Sequence, residues 1–248
     1  MRSNILVFCN SLNNPSPELY QIYYLFAFSA FGRQVVPFLR KLGLNCTEPR
    51  HNRSQGTFST LIFFENVYLE IFWFEETGHL AESAMMKEFN FQARVNWVST
   101  GASPFGFSLS YAITNHDNFI LALAEAIVIS ESPTLAPLQS FCPINLANPE
   151  EPICYLVPHY EAKRNRLNRV LATTDQILTQ PLGLSQLTFV KLKIISDCVM
   201  TLPLIDLVAQ NLLEIEYRKH PLLDLTFDDG NQQRLLDLRP LIPIVLRY

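Results

Sequence analysis

Glu70 is the residue of this chain whose setting raises a chemical question, because it stands alone among apolar side chains in the run Tyr68-Leu69-Glu70-Ile71-Phe72-Trp73-Phe74. A carboxylate there is costly unless it is paired, hydrated in a cavity, protonated or bound to a metal ion. The candidates for satisfying it are a hydrogen bond from Tyr23 or Tyr24, an ion pair with Arg53 or Arg94, or contact with a ligand. The internal pairings rank first, since buried acids are usually satisfied by their own chain. His51 is the second candidate, in the loop ahead of "GTFST". It competes with the plain alternative of a surface-loop histidine.

Other chemistries lack their residue patterns. The five histidines, His51, His79, His116, His159 and His220, show no H-x-x-x-H or H-E-x-x-H spacing that would bring two of them onto one helix face. "GLSQL" at Gly183–Leu187 fails the last position of G-x-S-x-G. "GASPFG" at Gly101–Gly106 reads as turn residues around Pro104 and is no phosphate cradle. Asp228 and Asp229 ahead of Gly230 read as a hairpin turn, with too few companions for a calcium loop.

The elements that must position Glu70 follow from patterning. "YQIYYLFAFS" is a β-branched and aromatic strand, and "AFGRQVVPFLRKLGL" has helical spacing at Phe31, Val35, Phe38, Leu39 and Leu42, with Gly43 to end it and Pro37 as a source of a kink. Thr57 to Phe64 and Val67 to Phe74 then form two strands around a tight turn at Glu65 and Asn66. The order recurs. "FGFSLSYAI" is a strand, "NHDNFILALAEAIV" a helix, and "LQSFCPINLANPEEPICYLVPHY" two strands around Asn148 to Pro152. The third copy has the strand "LSQLTFVKLKI", the helix "VMTLPLIDLVAQNLL", and the strands "PLLDLTF" and "LRPLIPIVLRY" around "DDG". Leu80, Met85, Phe89 and Trp97 predict a helical connection ending near Ser99, and Glu161 to Leu178 a second one with Leu167, Val170 and Leu171 turned inward.

Composition bounds the class. Hydrophobic residues make up 48% of the 248 positions and charged ones 17%, and the 18 Phe and 9 Tyr against 8 Gly predict a folded, aromatic-rich interior. A net charge of −4 gives no field over the whole surface for drawing in nucleic acid or an anionic membrane. The basic run Lys163, Arg164, Arg166 and Arg169 reads as a solvated linker or helix face. Five scattered cysteines without a C-x-x-C pair predict reduced, buried thiols. The apolar stretch Ile5 to Cys9 is too short for a signal sequence core, and no segment reaches the about 20 apolar residues of a membrane span, so the cytoplasm is the expected location.

"YYLFAFSAFGRQVVPFLRKLGL", "RHNRSQGTFSTLIFFENVYLEIFWFEE" and "WVSTGASPFGFSLSYAI" together resemble glyoxalase-like proteins of the vicinal oxygen chelate superfamily, and "LDLRPLIPIVLRY" resembles their closing strands. The resemblance implies an α+β fold of repeated β-α-β-β(-β) modules forming curled mixed sheets around a cavity. Together with the patterning, the expected divisions are an Asn-, Ser- and Pro-rich extension at 1–19, a glyoxalase-like domain at 20–160 with modules 20–76 and 105–160, and a third β-α-β-β module with its helical connection at 161–248. In the catalytic members a divalent metal is bound by His, Gln or Glu on strands. Here the matching first-strand position is Tyr23 or, one residue on, Tyr24. The second module offers Ser108 or Ser110, the closing strand around Cys154 to Val157 has no carboxylate, and Glu70 alone is retained. The expectation is therefore a protein with no metal that binds a small, largely apolar molecule in an aromatic-lined cavity. Its expected lining is Tyr23, His51, Glu70, Phe72, Trp97 and Phe105. The alternative is a metal-dependent lyase, isomerase or dioxygenase of the superfamily, with Glu70 and His51 as the candidate metal ligands. No nucleic-acid or membrane partner is expected. A homodimer is, because an odd number of modules leaves open strand edges.

Overall fold

The computed structural model describes residues 20–52, 56–74, 89–111, 140–141, 143–158, 162, 168–170, 179–195 and 200–248. The expected extension at 1–19, the helix at 115–128, most of the helical connection at 161–178, and Arg53 lie outside the described residues. So do Cys9, Cys142, Cys198, His79, His116 and His159.

The first unit runs β1 (Tyr20–Phe28), a 3-10 turn at Gly32–Gln34, α1 (Val35–Lys41), β2 (Arg50–Asn52), β3 (Thr57–Phe63) and β4 (Tyr68–Phe74). The helix begins at Val35, later than its apolar spacing suggested. That start puts Pro37 in the first turn, where a missing N–H forfeits no intrahelical bond, so no kink is needed. Gly43, at φ +86°, ends it as expected. The β3–β4 hairpin closes through Phe64 N–H to Val67 O at 2.9 Å, around Glu65 and Asn66.

Next come α2 (Phe91–Val95) and α3 (Trp97–Thr100), then β5 (Phe105–Tyr111), β6 (Ser140–Phe141), α4 (Pro143–Ala147) and β7 (Ile153–Pro158). The segment read as two strands around Asn148 to Pro152 holds α4 between its short β6 and β7. These strands form one sheet in the order β2-β3-β4-β1-β5-β7-β6. At its centre β1 and β5 are antiparallel, and each is flanked on its outer side by a parallel strand, β4 or β7.

The C-terminal region runs β8 (Leu187–Ile194), α5 (Leu202–Ala209), β9 (Glu214–Tyr217), β10 (Leu222–Phe227), β11 (Leu235–Asp237) and β12 (Ile244–Arg247), in the order β11-β12-β10-β8-β9. It repeats the arrangement of the first sheet, with β8 and β10 antiparallel at the centre and parallel β9 and β12 outside them. A single β-α-β-β copy does not describe it. Residues Asp228–Gly230 do not close a hairpin either, because β10 pairs with β8 and β12 and not with the next strand. Their role is different: the Asp228 carboxylate accepts the Ser185 and Gln186 N–H groups, each at 2.9 Å, fixing the entry to β8.

One face of the first sheet, carrying Leu25, Leu69 and Phe107, shares a core with α1 and with Leu192 and Leu225 of the second sheet. Its other face builds a separate aromatic cluster from Tyr24, Phe26, Phe28 and Tyr68, covered by Phe89 and Val95. The central strands are thus buried on both faces, which is why β1 and β4 read as near-continuous apolar runs. Cys46 and Cys154, the cysteines whose state is described, are buried and in no disulfide. Among the described residues, no helix is long and apolar enough to cross a membrane.

A polar joint links the second unit of the first sheet to α5. Arg94, fully buried, donates to the carbonyls of Phe89 and Ser103 at 3.0 Å, Glu151 at 2.7 Å and Asn148 at 3.3 Å. Oε1 of Glu151 accepts the N–H of Thr201, the residue that starts α5, at 2.7 Å and its hydroxyl at 3.0 Å. Oε2 of Glu151 is buried without a hydrogen bond. Burial raises this carboxyl above its usual 4.5, against the bonds from Thr201, the nearby Asn145 amide and the charge of Arg94. A proton on Oε2 leaves the Oε1 bonds intact. With the folded pKa above the unfolded one, stability from this proton is full below the unfolded value and fades as pH rises through the folded value. Wild type is therefore expected to gain on Glu151→Gln as pH falls from 7 toward 4.5, read from urea midpoints of both proteins across that range.

Candidate ligand-binding site

Strand register defines the site as two adjacent rows on one face of the first sheet. Phe63, Tyr68, Tyr24, Ser108 and Tyr155 form the first row across β3, β4, β1, β5 and β7. Leu61, Glu70, Phe26, Gly106 and Ile153 form the second, one side-chain period away. Glu70 therefore stands beside the two tyrosines and the Phe26 ring, with its side chain 3% exposed.

Two groups satisfy it. The Tyr24 hydroxyl donates to Oε2 at 2.7 Å, and Arg169 Nη1 lies 3.3 Å from the same oxygen. The Tyr24 and Tyr68 rings stack with centroids 4.6 Å apart, and the Arg169 guanidinium carbon sits 5.8 Å and 5.4 Å from those two centroids. The Arg169 side chain is 31% exposed and the carboxylate beneath it almost fully buried. Burial, and then the neighbouring Glu70 charge, push the Tyr24 phenol well above its ordinary value, so it is a proton donor to Glu70 and not a base. Burial would lower Arg169, but the carboxylate and the surrounding phenols outweigh it and keep the guanidinium charged. Tyr155 is also raised by burial first and by the nearby phenols second. Ser108 lies beside Tyr155 with its hydroxyl fully buried and in no hydrogen bond of normal geometry.

Of the six residues expected to line the site, three come together. Tyr23 would alternate to the opposite face from Tyr24, but the β1–β5 register shifts between Ile22 and Tyr24. That bulge brings both tyrosines into one cluster, with Tyr23 6.3 Å from the Tyr24 and Tyr68 rings. Phe72 follows Glu70 on the same face and packs on Phe26 and Phe28. Phe105 does not belong here. It pairs with Ala27, out of phase with Glu70, and packs in the core shared by the two sheets. His51 is also elsewhere, exposed on the edge strand β2 and stacked at 4.6 Å on Phe58, which in turn stacks on Trp73. Trp97 starts α3 half-buried, its indole N–H without a hydrogen bond.

Of the two arginines expected as ion-pair partners of Glu70, Arg94 serves carbonyls in the joint with α5, and Arg53 lies outside the described residues. Arg169, which reads in sequence as part of a solvated basic run, takes the role. The one hint was its place next to Val170, an inward-facing position that packs on the aromatic cluster.

A divalent ion fits poorly. Oε2 of Glu70 already accepts a phenol and faces a guanidinium, and its neighbours across the sheet are Phe26 and Leu61. Among the described residues no three His, Cys, Asp or Glu side chains converge. Such ions need several N or O donors at fixed geometry.

No family model and no curated protein matches the sequence. Among solved structures, the chain resembles the crystal structure of a hypothetical protein from Staphylococcus aureus. The two superpose with a TM-score of 0.54 at 10% identity, over 92% of this chain and 99% of the other. At that identity the likeness concerns the fold alone. It extends over nearly the whole of both chains.

Proposed function

We propose that this chain is a glyoxalase-like protein of the vicinal oxygen chelate superfamily that binds a small, largely apolar molecule against the Glu70 face of its first sheet, without a metal at that carboxylate. The observation that carries the reading is a buried carboxylate, bonded by a phenol and a guanidinium, on an otherwise aromatic wall. Apolar contact area with a few fixed polar groups is the usual make-up of a small-molecule site. The superfamily reading is supported by the order of the first unit, in which the opening strand lies parallel to the last and the two between step outward.

The test is a thermal-shift screen of small aromatic and aliphatic molecules against wild type and Glu70→Gln. Gln keeps an acceptor for Tyr24 but removes the counter-charge of Arg169, so the unliganded variant is expected to lose about 1–3 kcal/mol. Compounds that stabilise wild type are expected to stabilise the variant less. A screen without hits, or hits indifferent to the substitution, goes against the proposal. Metal analysis addresses the enzyme alternative: about one equivalent of Fe, Mn, Ni or Zn, lost in Glu70→Gln, would support a metal centre instead.

A further inference from the structure

The chemistry around Glu70 is that of a cation receptor. A carboxylate lies 3.3 Å from a guanidinium that sits 5.4 Å and 5.8 Å from the centres of two stacked tyrosine rings. The negative ring faces and the carboxylate act on the same positive charge, and the Tyr24 hydroxyl holds the carboxylate in place at 2.7 Å. Aromatic faces combined with an acid are how proteins recognise alkylammonium and guanidinium groups. The cation now in that position belongs to the chain itself and is 31% exposed, whereas the acid beneath it is 3% exposed.

We propose that the Glu70 face is an organic-cation site filled from within by Arg169, and that its ligand carries an alkylammonium or guanidinium head that takes the place of the Arg169 guanidinium. This rests on the reading that the face binds a small molecule, and it names that molecule's polar end. The apolar body of the ligand lies along the aromatic wall, near Phe26 and Phe72, while its head meets Glu70 and the Tyr24 and Tyr68 rings. Arg169 then acts as a built-in competitor. A ligand binds only if its differential contacts exceed those Arg169 surrenders.

Removing the competitor tests this. In the full chain with Arg169→Ala, choline is expected to bind roughly tenfold or more tightly than to wild type, read by calorimetry and by a thermal shift at about 10 mM. The uncharged tert-butyl analogue of choline is expected to bind much less, and Arg169→Ala combined with Glu70→Gln to lose the choline response. Equal binding of choline and its analogue overturns the cation assignment but leaves a small-molecule site. Binding of neither overturns both. A choline response that survives Glu70→Gln, or that is as strong in wild type, also overturns the assignment. Should Arg169→Ala not fold, Arg169→Met keeps the apolar stem and is read the same way. Should neither fold, choline must bind wild type and fail to bind Glu70→Gln, and any other result overturns the proposal.

Discussion

Arg94→Met is expected to cost about 3–5 kcal/mol, enough to remove much of the stability of a domain of ordinary size. The guanidinium is fully buried and donates to main-chain carbonyls of Phe89, Ser103, Asn148 and Glu151. Methionine fills similar volume and gives none of those donors, leaving carbonyls from three segments of chain without the partners that brought them together. Each buried acceptor left unpaired costs about 1–3 kcal/mol, partly recovered as the loops relax toward water. Lysine restores the charge but, as a point donor without the planar fork, reaches fewer carbonyls, so Arg94→Lys is expected to fall between wild type and Arg94→Met. Urea denaturation of the three proteins, monitored by far-UV circular dichroism, gives the ranking. An Arg94→Met midpoint equal to that of wild type would mean that the loops hold their shape without the guanidinium.

The strands and their order along the chain are legible because β-branched and aromatic runs of strand length alternate with helical spacing, and because Glu65-Asn66 sits between two such runs. Glu70 and its need for a partner are legible for the same reason: a charge inside a strand buried on both faces has few ways to be satisfied. The assignment of faces is not. Phe105 and His51 were expected near Glu70 and lie on the other side of the sheet, because a shift of one residue in register exchanges faces and no local feature fixes the register between strands distant in sequence. Tyr23 is the converse, since only the bulge after Ile22 brings it round to Tyr24. The short strand β9, Glu214-Ile215-Glu216-Tyr217, was missed because an edge strand with alternating glutamates reads as polar connection. Its Glu214 and Glu216 instead pair with Lys191 and Lys193 of β8. Arg169 was missed because an ion pair with a partner far along the chain leaves no trace in the spacing of nearby residues.

Gly106→Ala is expected to destabilise by about 3 kcal/mol and to disturb the Glu70 face more than any other one-methyl change there. A Cβ built on Gly106 would lie 1.9 Å from Cζ of Phe26, far inside contact distance, so the ring must move. Glycine is required here for close approach: the tip of the Phe26 ring lies over the bare Cα of Gly106. The ring has little room to retreat, being stacked on Tyr24 at 5.5 Å and set edge-on against Phe28 and Phe72, both at 5.9 Å. Its displacement pushes on Tyr24, whose hydroxyl bonds Glu70, so the damage reaches the carboxylate. Phe26→Leu in the same chain gives back the space, and the double variant is expected to be more stable than the sum of the two single losses predicts. Chemical denaturation of wild type, both single variants and the double variant measures that coupling. Simple additivity of the two losses would show that Phe26 does not rest on Gly106, and the packing that holds Tyr24 against Glu70 would then need another source.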